Sequence, residues 1–213
     1  MQSSILRRSK EPEGFNFWPS FADLCVAFIL FWVLIVILAI VTPAFSEGVI
    51  RRKILEQVKV AMDDNSPAAY EKYWTIDNDT GTIKLMDTKV LFSSGSADLS
   101  EQGTAVIAAL AQGLSGALED HGDNVEAIMI EGFADCEPIG AQAMRRYPTN
   151  WELSTARSSS VIRQILTVLD DRPEFARKFC AAGYGSARAE SLTIPLGTDR
   201  RIEIRILTRS SAS

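Results

Sequence analysis

From Leu24 to Phe45 the chain carries no charged side chain, a run of about 22 residues that at helical rise is long enough to cross a hydrocarbon core. One membrane helix therefore takes up much of the N-terminal third, and the remaining length leaves room for a single medium-sized soluble domain. Residues 1–16 read as a polar tail in which Pro12 and Gly14 interrupt regular structure. The helix spans 17–45, with Pro19 suited to its first turn and Thr42-Pro43 marking a kink or an exit. Arg7, Arg8 and Lys10 resemble the start of a signal peptide, and Ala44-Phe45-Ser46 loosely fits a cleavage site. The apolar stretch is too long for one and carries Asp23, so the expectation is an uncleaved anchor. Basic residues flank the helix on both sides, Arg51, Arg52 and Lys53 following it, so charge alone does not set its orientation.

Asp23, within "WPSFADLC", is the informative residue of this segment. A carboxylate at that depth either sits at the water boundary or is kept because it has work to do. Ser20, Asp23, Ala27 and Leu30 recur at helical spacing, and a stripe of small and polar residues is what a protein-facing membrane surface needs. Ser20 would either help ligate a sodium ion or satisfy a backbone carbonyl.

A formal net charge of −5 and a pI near 5.0 argue against a nucleic-acid partner. The single histidine, His121, lies in the polar stretch "EDHGDN", where a solvated loop residue is expected, and leaves nothing for a histidine metal site or a Ser-His-Asp triad. The sequence thus points to no enzyme, no cofactor and no bound metal. Cys25 lies in the apolar segment and is inert; Cys136 and Cys180 could bridge in an oxidising compartment, but they belong at opposite ends of neighbouring strands.

Residues 46–82 read as a juxtamembrane helix and a linker. Val49, Ile50, Ile54, Val58 and Ala61 form a narrow apolar face, to lie on lipid or to pair with a second copy. From Ile83 the pattern alternates. "IKLMDTKVLFSSGSADLS" reads as one or two strands, "TAVIAALAQGLSGAL" as a helix capped by Ser100, and "VEAIMIEGFAD" as a buried strand. "TNWELSTARSSSVIRQILTVLDD" is a second helix, "KFCAAGYG" a third strand, and "RRIEIRIL" an edge-like strand. The fold class is α/β: one transmembrane helix, then a mixed sheet covered by helices.

Four segments in this order, "VLFSSGSADLS", "IEGFADCEP", "NWELSTARSSSVIRQIL" and "DRRIEIRI", resemble the successive signatures of the OmpA-like peptidoglycan-binding domain over 83–213. The resemblance implies that Asp135 and Arg157, with Asn150 and Leu153 on the same helix, read the diaminopimelate of the cell-wall stem peptide. Asn150, Leu153 and Arg157 share one helical face, and a carboxylate opposite a guanidinium can clasp an amino-acid head bearing both charges; the alternative is that the two pair with each other as a supporting salt bridge. Phe133-Ala134 replaces the family's His-Thr, and Ser158 its alanine.

A wall-binding domain on one N-terminal helix with an early aspartate resembles the B subunit of ion-driven stators, the MotB type, with "FADLC" in the place of the family's acidic triplet. That likeness implies a proton or sodium ion carried at Asp23, a dimer of this chain inside a multi-span A-type partner (MotA- or ZorA-like), and a bacterial inner membrane with the tail cytoplasmic and the domain periplasmic. "FWPSFADL", "YPTNWELS" and the short connection are most similar to the ZorB subunits of Zorya anti-phage defence systems. A flagellar stator subunit and a passive membrane-to-wall tether are the alternatives.

Overall fold

The computed structural model describes residues 17–65, 73–78, 80–86, 88–170, 172–191, 193–194 and 197–209. The tail at 1–16 and the linker residues 66–72 lie outside these. The chain divides into two compact units, residues 1–43 and 44–213.

In the first unit, helix α1 (Trp18–Asn65) begins with a cluster of aromatic rings, Phe17 5.8 Å and Trp18 6.1 Å from Phe21 between centroids. Of these, the Trp18 indole, an apolar ring with one N–H donor, favours the boundary between hydrocarbon and water. The stretch Trp18–Val41 is long and apolar enough to cross a membrane, and none of it is buried within the chain.

In the second unit the later part of α1 corrects the expectation of a juxtamembrane stripe. Ile54, Leu55, Val58 and Met62 are at most 1% exposed, inside the core of the domain, while Val49 remains exposed. The occupant of the apolar face is helix α3 (Glu101–His121), which meets α1 at Gly113, where an added Cβ would lie 3.0 Å from both the Val58 backbone and the Ala61 side chain. Neither lipid nor a second copy is needed to cover it. The domain consequently begins well before residue 83, and the segment read as linker also supplies strand β1 (Trp74–Asp77).

The sheet has the order β1-β2-β5-β3-β4, with β2 Thr82–Met86, β3 Val125–Gly132, β4 Phe179–Gly183 and β5 Arg201–Thr208. Only β3 and β4 run parallel. β5 is central, hydrogen-bonded to both β2 and β3, and not the edge its charges suggested. Ile202, Ile204 and Ile206 face the core, while Arg201, Glu203 and Arg205 point to the other side, where Arg201 pairs with Glu203 and Arg205 with Glu131. Alternation with mutual neutralisation suits an interior strand whose outer face is polar.

The stretch read as one or two strands is β2 followed by a helical turn, α2 (Thr88–Leu91). Ser100 caps α3 as expected, accepting from the Gly103 amide at 2.8 Å. His121 ends that helix, half-buried, and is not a loop residue. Short helices α4 (Ala141–Met144) and α6 (Pro173–Ala176) flank helix α5 (Asn150–Val168), which packs with α1 and α3 on the apolar face. Cys180 lies opposite Met129 in the β3–β4 register and Cys136 lies beyond the end of β3; both thiols are free.

Candidate functional site

The site is built where α5 begins, and two devices place that helix. Thr149 and Glu152 form a capping box: the Thr149 hydroxyl accepts from the Trp151 amide at 3.1 Å and the Glu152 carboxylate accepts from the Thr149 amide at 2.8 Å. Glycines on both strands beneath then let the helix approach closely. A Cβ on Gly132 would lie 2.4 Å from the Ser154 carbonyl oxygen, and one on Gly183 2.2 Å from the Thr155 hydroxyl. Ser158, in place of alanine, is fully buried and donates to the Ala182 carbonyl at 2.8 Å, adding a tie between α5 and β4.

The face of α5 turned away from the strands carries Asn150, Leu153 and Arg157, which line a cavity of about 640 Å³ together with Asp135. All four residues singled out in the sequence therefore share one cavity. Asn150 donates to the carbonyls of Glu137 (3.0 Å) and Asp135 (3.4 Å), fastening the loop after β3 to the helix. Leu153 is buried against Ala97 and Tyr147 and forms an apolar wall. Arg157 donates through Nε to the Ser96 carbonyl at 3.1 Å, and its guanidinium lies 5.1 Å over the Phe92 ring. Burial, with the like charge of Arg200 adding to it, holds the Arg157 pKa down to about 10, so the group is a cation at neutral pH.

Asp135 and Arg157 do not form a salt bridge with each other. The Asp135 carboxylate, 5% exposed, accepts from Arg200 Nε at 2.6 Å and from the Glu137 amide at 3.3 Å. Arg200 also pairs with Glu137 through its other arm. Burial works against the Arg200 charge, but the hydrogen bond and attraction from Asp135, with those of Glu137, raise its pKa on balance. Among the described residues no carboxylate lies within ion-pair distance of Arg157. Lys89, Arg146, Arg157 and Arg200 face Asp135 and Glu137 across the cavity, so its walls are net positive on a chain whose net charge is −5.

Sequence reasoning missed Arg200 and Glu137. The signal was present: Arg200 is the second residue of the "DRRIEIRI" segment and Glu137 lies two positions after Asp135 in "ADCEP", but only the β3–β5 pairing brings them together. Phe133 does not open a gap beside the site. It is 3% exposed, stacked on Tyr184 with centroids 5.1 Å apart and covered by Arg201 at 4.2 Å, away from the cavity. Asp23, in the other unit, lies in the second turn of α1 with an exposed side chain.

No protein-family model matches the chain. It is 27% identical over 164 residues to the uncharacterized protein YtxE of Bacillus subtilis (strain 168), a match spanning 76% of this chain but only 62% of that relative. Among solved structures it is similar to a MotB-like protein from Desulfovibrio vulgaris, at 24% identity and a TM-score of 0.59 over 77% of this chain and 98% of that one. It is also similar to the cell wall anchor of the T6SS from Pseudomonas aeruginosa, at 20% identity and a TM-score of 0.53 over 71% and 97% of the two chains. Identities this low establish the fold: an N-terminal apolar helix followed by a mixed α/β domain of the kind seen in these proteins.

Proposed function

We propose that this chain is the B subunit of an ion-driven rotary membrane motor, holding peptidoglycan through its α/β domain and carrying ions at Asp23. The observation that carries the reading is a cavity offering a guanidinium, Arg157, that forms no ion pair among the described residues, beside a buried carboxylate, Asp135. The cation suits a carboxylate of the wall's diaminopimelate and the aspartate suits its ammonium. Asn150 holds the loop that bears Asp135, and Leu153 shapes the wall between them. The similar solved structures support the reading, one being a MotB-like protein and the other a cell wall anchor.

The same chain carries one carboxylate near the start of an apolar helix long enough to span the inner membrane. Loading and releasing a proton or sodium ion at Asp23 changes the charge on the helix, and with it how the helix attracts its neighbours. Each charge moved through the membrane field supplies about 2.3 kcal/mol per 100 mV. One helix cannot enclose a path, so the motor needs a multi-span A-type partner around a dimer of this chain. Wall anchorage by the periplasmic domain would hold that dimer still while the partner turns.

Within this class we assign the chain to the Zorya-type B subunits, on "FWPSFADL", "YPTNWELS" and a connection of only residues 42–53 between Val41 and the buried Ile54. The deciding experiment is retention of the full chain, in detergent, by purified sacculi, with and without added meso-diaminopimelic acid. Binding competed by the free amino acid is expected, and absence of retention removes the anchor. Loss of phage protection on deletion then marks the defence system, whereas loss of swimming marks a flagellar stator.

A further inference from the structure

Asp135, the carboxylate assigned to the ligand's ammonium, is not vacant in the ligand-free chain. Arg200 Nε fills that role at 2.6 Å, and among the described residues the only other atom bonded to the carboxylate is the Glu137 amide. With a side chain 5% exposed, Asp135 has little surface left for a second cation. Arg200 is itself held at two points, because Glu137, whose side chain is 58% exposed, takes its other arm. Its backbone is fixed as well, the Arg200 amide bonding the Gly197 carbonyl at 3.2 Å and its carbonyl accepting from Thr88 at 3.3 Å. The guanidinium can therefore turn about its own side chain without moving the strand that follows.

We propose that Arg200 is a built-in substitute for the ligand's ammonium, released from Asp135 onto Glu137 when a zwitterionic ligand arrives. This deepens the wall-binding reading above and rests on it. The exchange keeps every charge paired: the incoming ammonium takes Asp135, Arg200 stays with Glu137, and the ligand carboxylate takes Arg157. It also sets specificity. A ligand carrying only carboxylates gains Arg157 but cannot displace Arg200, and a simple amine displaces Arg200 but leaves Arg157 unmatched. Glu137 becomes a positioning residue, the resting place without which Arg200 blocks the site.

The test is calorimetric titration of the full chain in detergent with meso-diaminopimelic acid and with pimelic acid, which lacks both ammonium groups. Arg200→Met keeps the aliphatic stem and removes the competitor, so diaminopimelate should bind at least about threefold tighter and pimelate should not. Glu137→Gln, at an exposed position that folding tolerates, should weaken diaminopimelate binding by a similar factor. In the double variant that loss should vanish, because Glu137 matters only while Arg200 is present. Weaker diaminopimelate binding in Arg200→Met, or an unchanged effect of Glu137→Gln in the double variant, overturns the exchange while leaving wall binding in place. A wild-type chain that binds neither compound nor sacculi overturns the wall-binding reading, and the exchange with it.

Discussion

Arg157 and Arg200 line one cavity, but among the described residues only Arg200 forms an ion pair with a carboxylate. The two guanidiniums are held by different means, Arg200 by ion pairs with two acids and Arg157 by the Ser96 carbonyl and the Phe92 ring. Arg157→Ala should lower retention by sacculi about 10- to 100-fold, the range expected for losing a hydrogen bond to a charged group. Arg157→Lys should recover little of it, since a point charge cannot hold the Ser96 carbonyl and a ligand carboxylate in one plane. A lysine variant with full retention would show that charge alone suffices.

Gly183→Ala should disturb the same site from beneath. Its Cβ would fall 2.2 Å from the Thr155 hydroxyl and 2.4 Å from the Thr155 amide, so α5 must shift. Overpacking of this kind destabilises by about 1–3 kcal/mol. Both the thermal midpoint and sacculus retention should fall, and a variant matching wild type in both would mean the helix has room to spare.

Asp23→Asn keeps the size of the side chain and removes its ability to cycle between charged and neutral forms. In the motor proposed above, the variant should still co-purify with a multi-span partner and should lose phage protection entirely. Full protection by the asparagine form would rule out ion carriage at this position and leave a passive tether.

Met62→Ala separates the two accounts of the segment after the membrane stretch. A side chain fully buried in the domain core should cost about 2–5 kcal/mol when truncated, read as a lower urea midpoint for the α/β domain. A residue on a lipid-facing or linker segment would leave the midpoint unchanged.

What the sequence made legible followed from local rules. The Ser100 cap, the long α5 and the alternating isoleucines of β5 each depend on a few adjacent residues. Asp135, Asn150, Leu153 and Arg157 were found together because a family pattern fixes their order, and the cavity contains all four. The rest depended on partners far along the chain. The stripe at Ile54 and Val58 has the same period whether lipid, a second copy or α3 covers it, and nothing local marks Gly113 as the contact. β5 looked like an edge because its charges alternate, and only the register that brings Arg205 to Glu131 shows an interior strand. Arg200 escaped notice for the same reason, its acids lying more than sixty positions earlier.

The central position of β5 also bears on the order in which the domain is assembled. It follows the other four strands in the chain but joins β2 to β3 in the sheet, so neither half can close until it emerges from the ribosome. A nascent polypeptide in that condition stays loose until late and acquires both its architecture and Arg200 in one closing step.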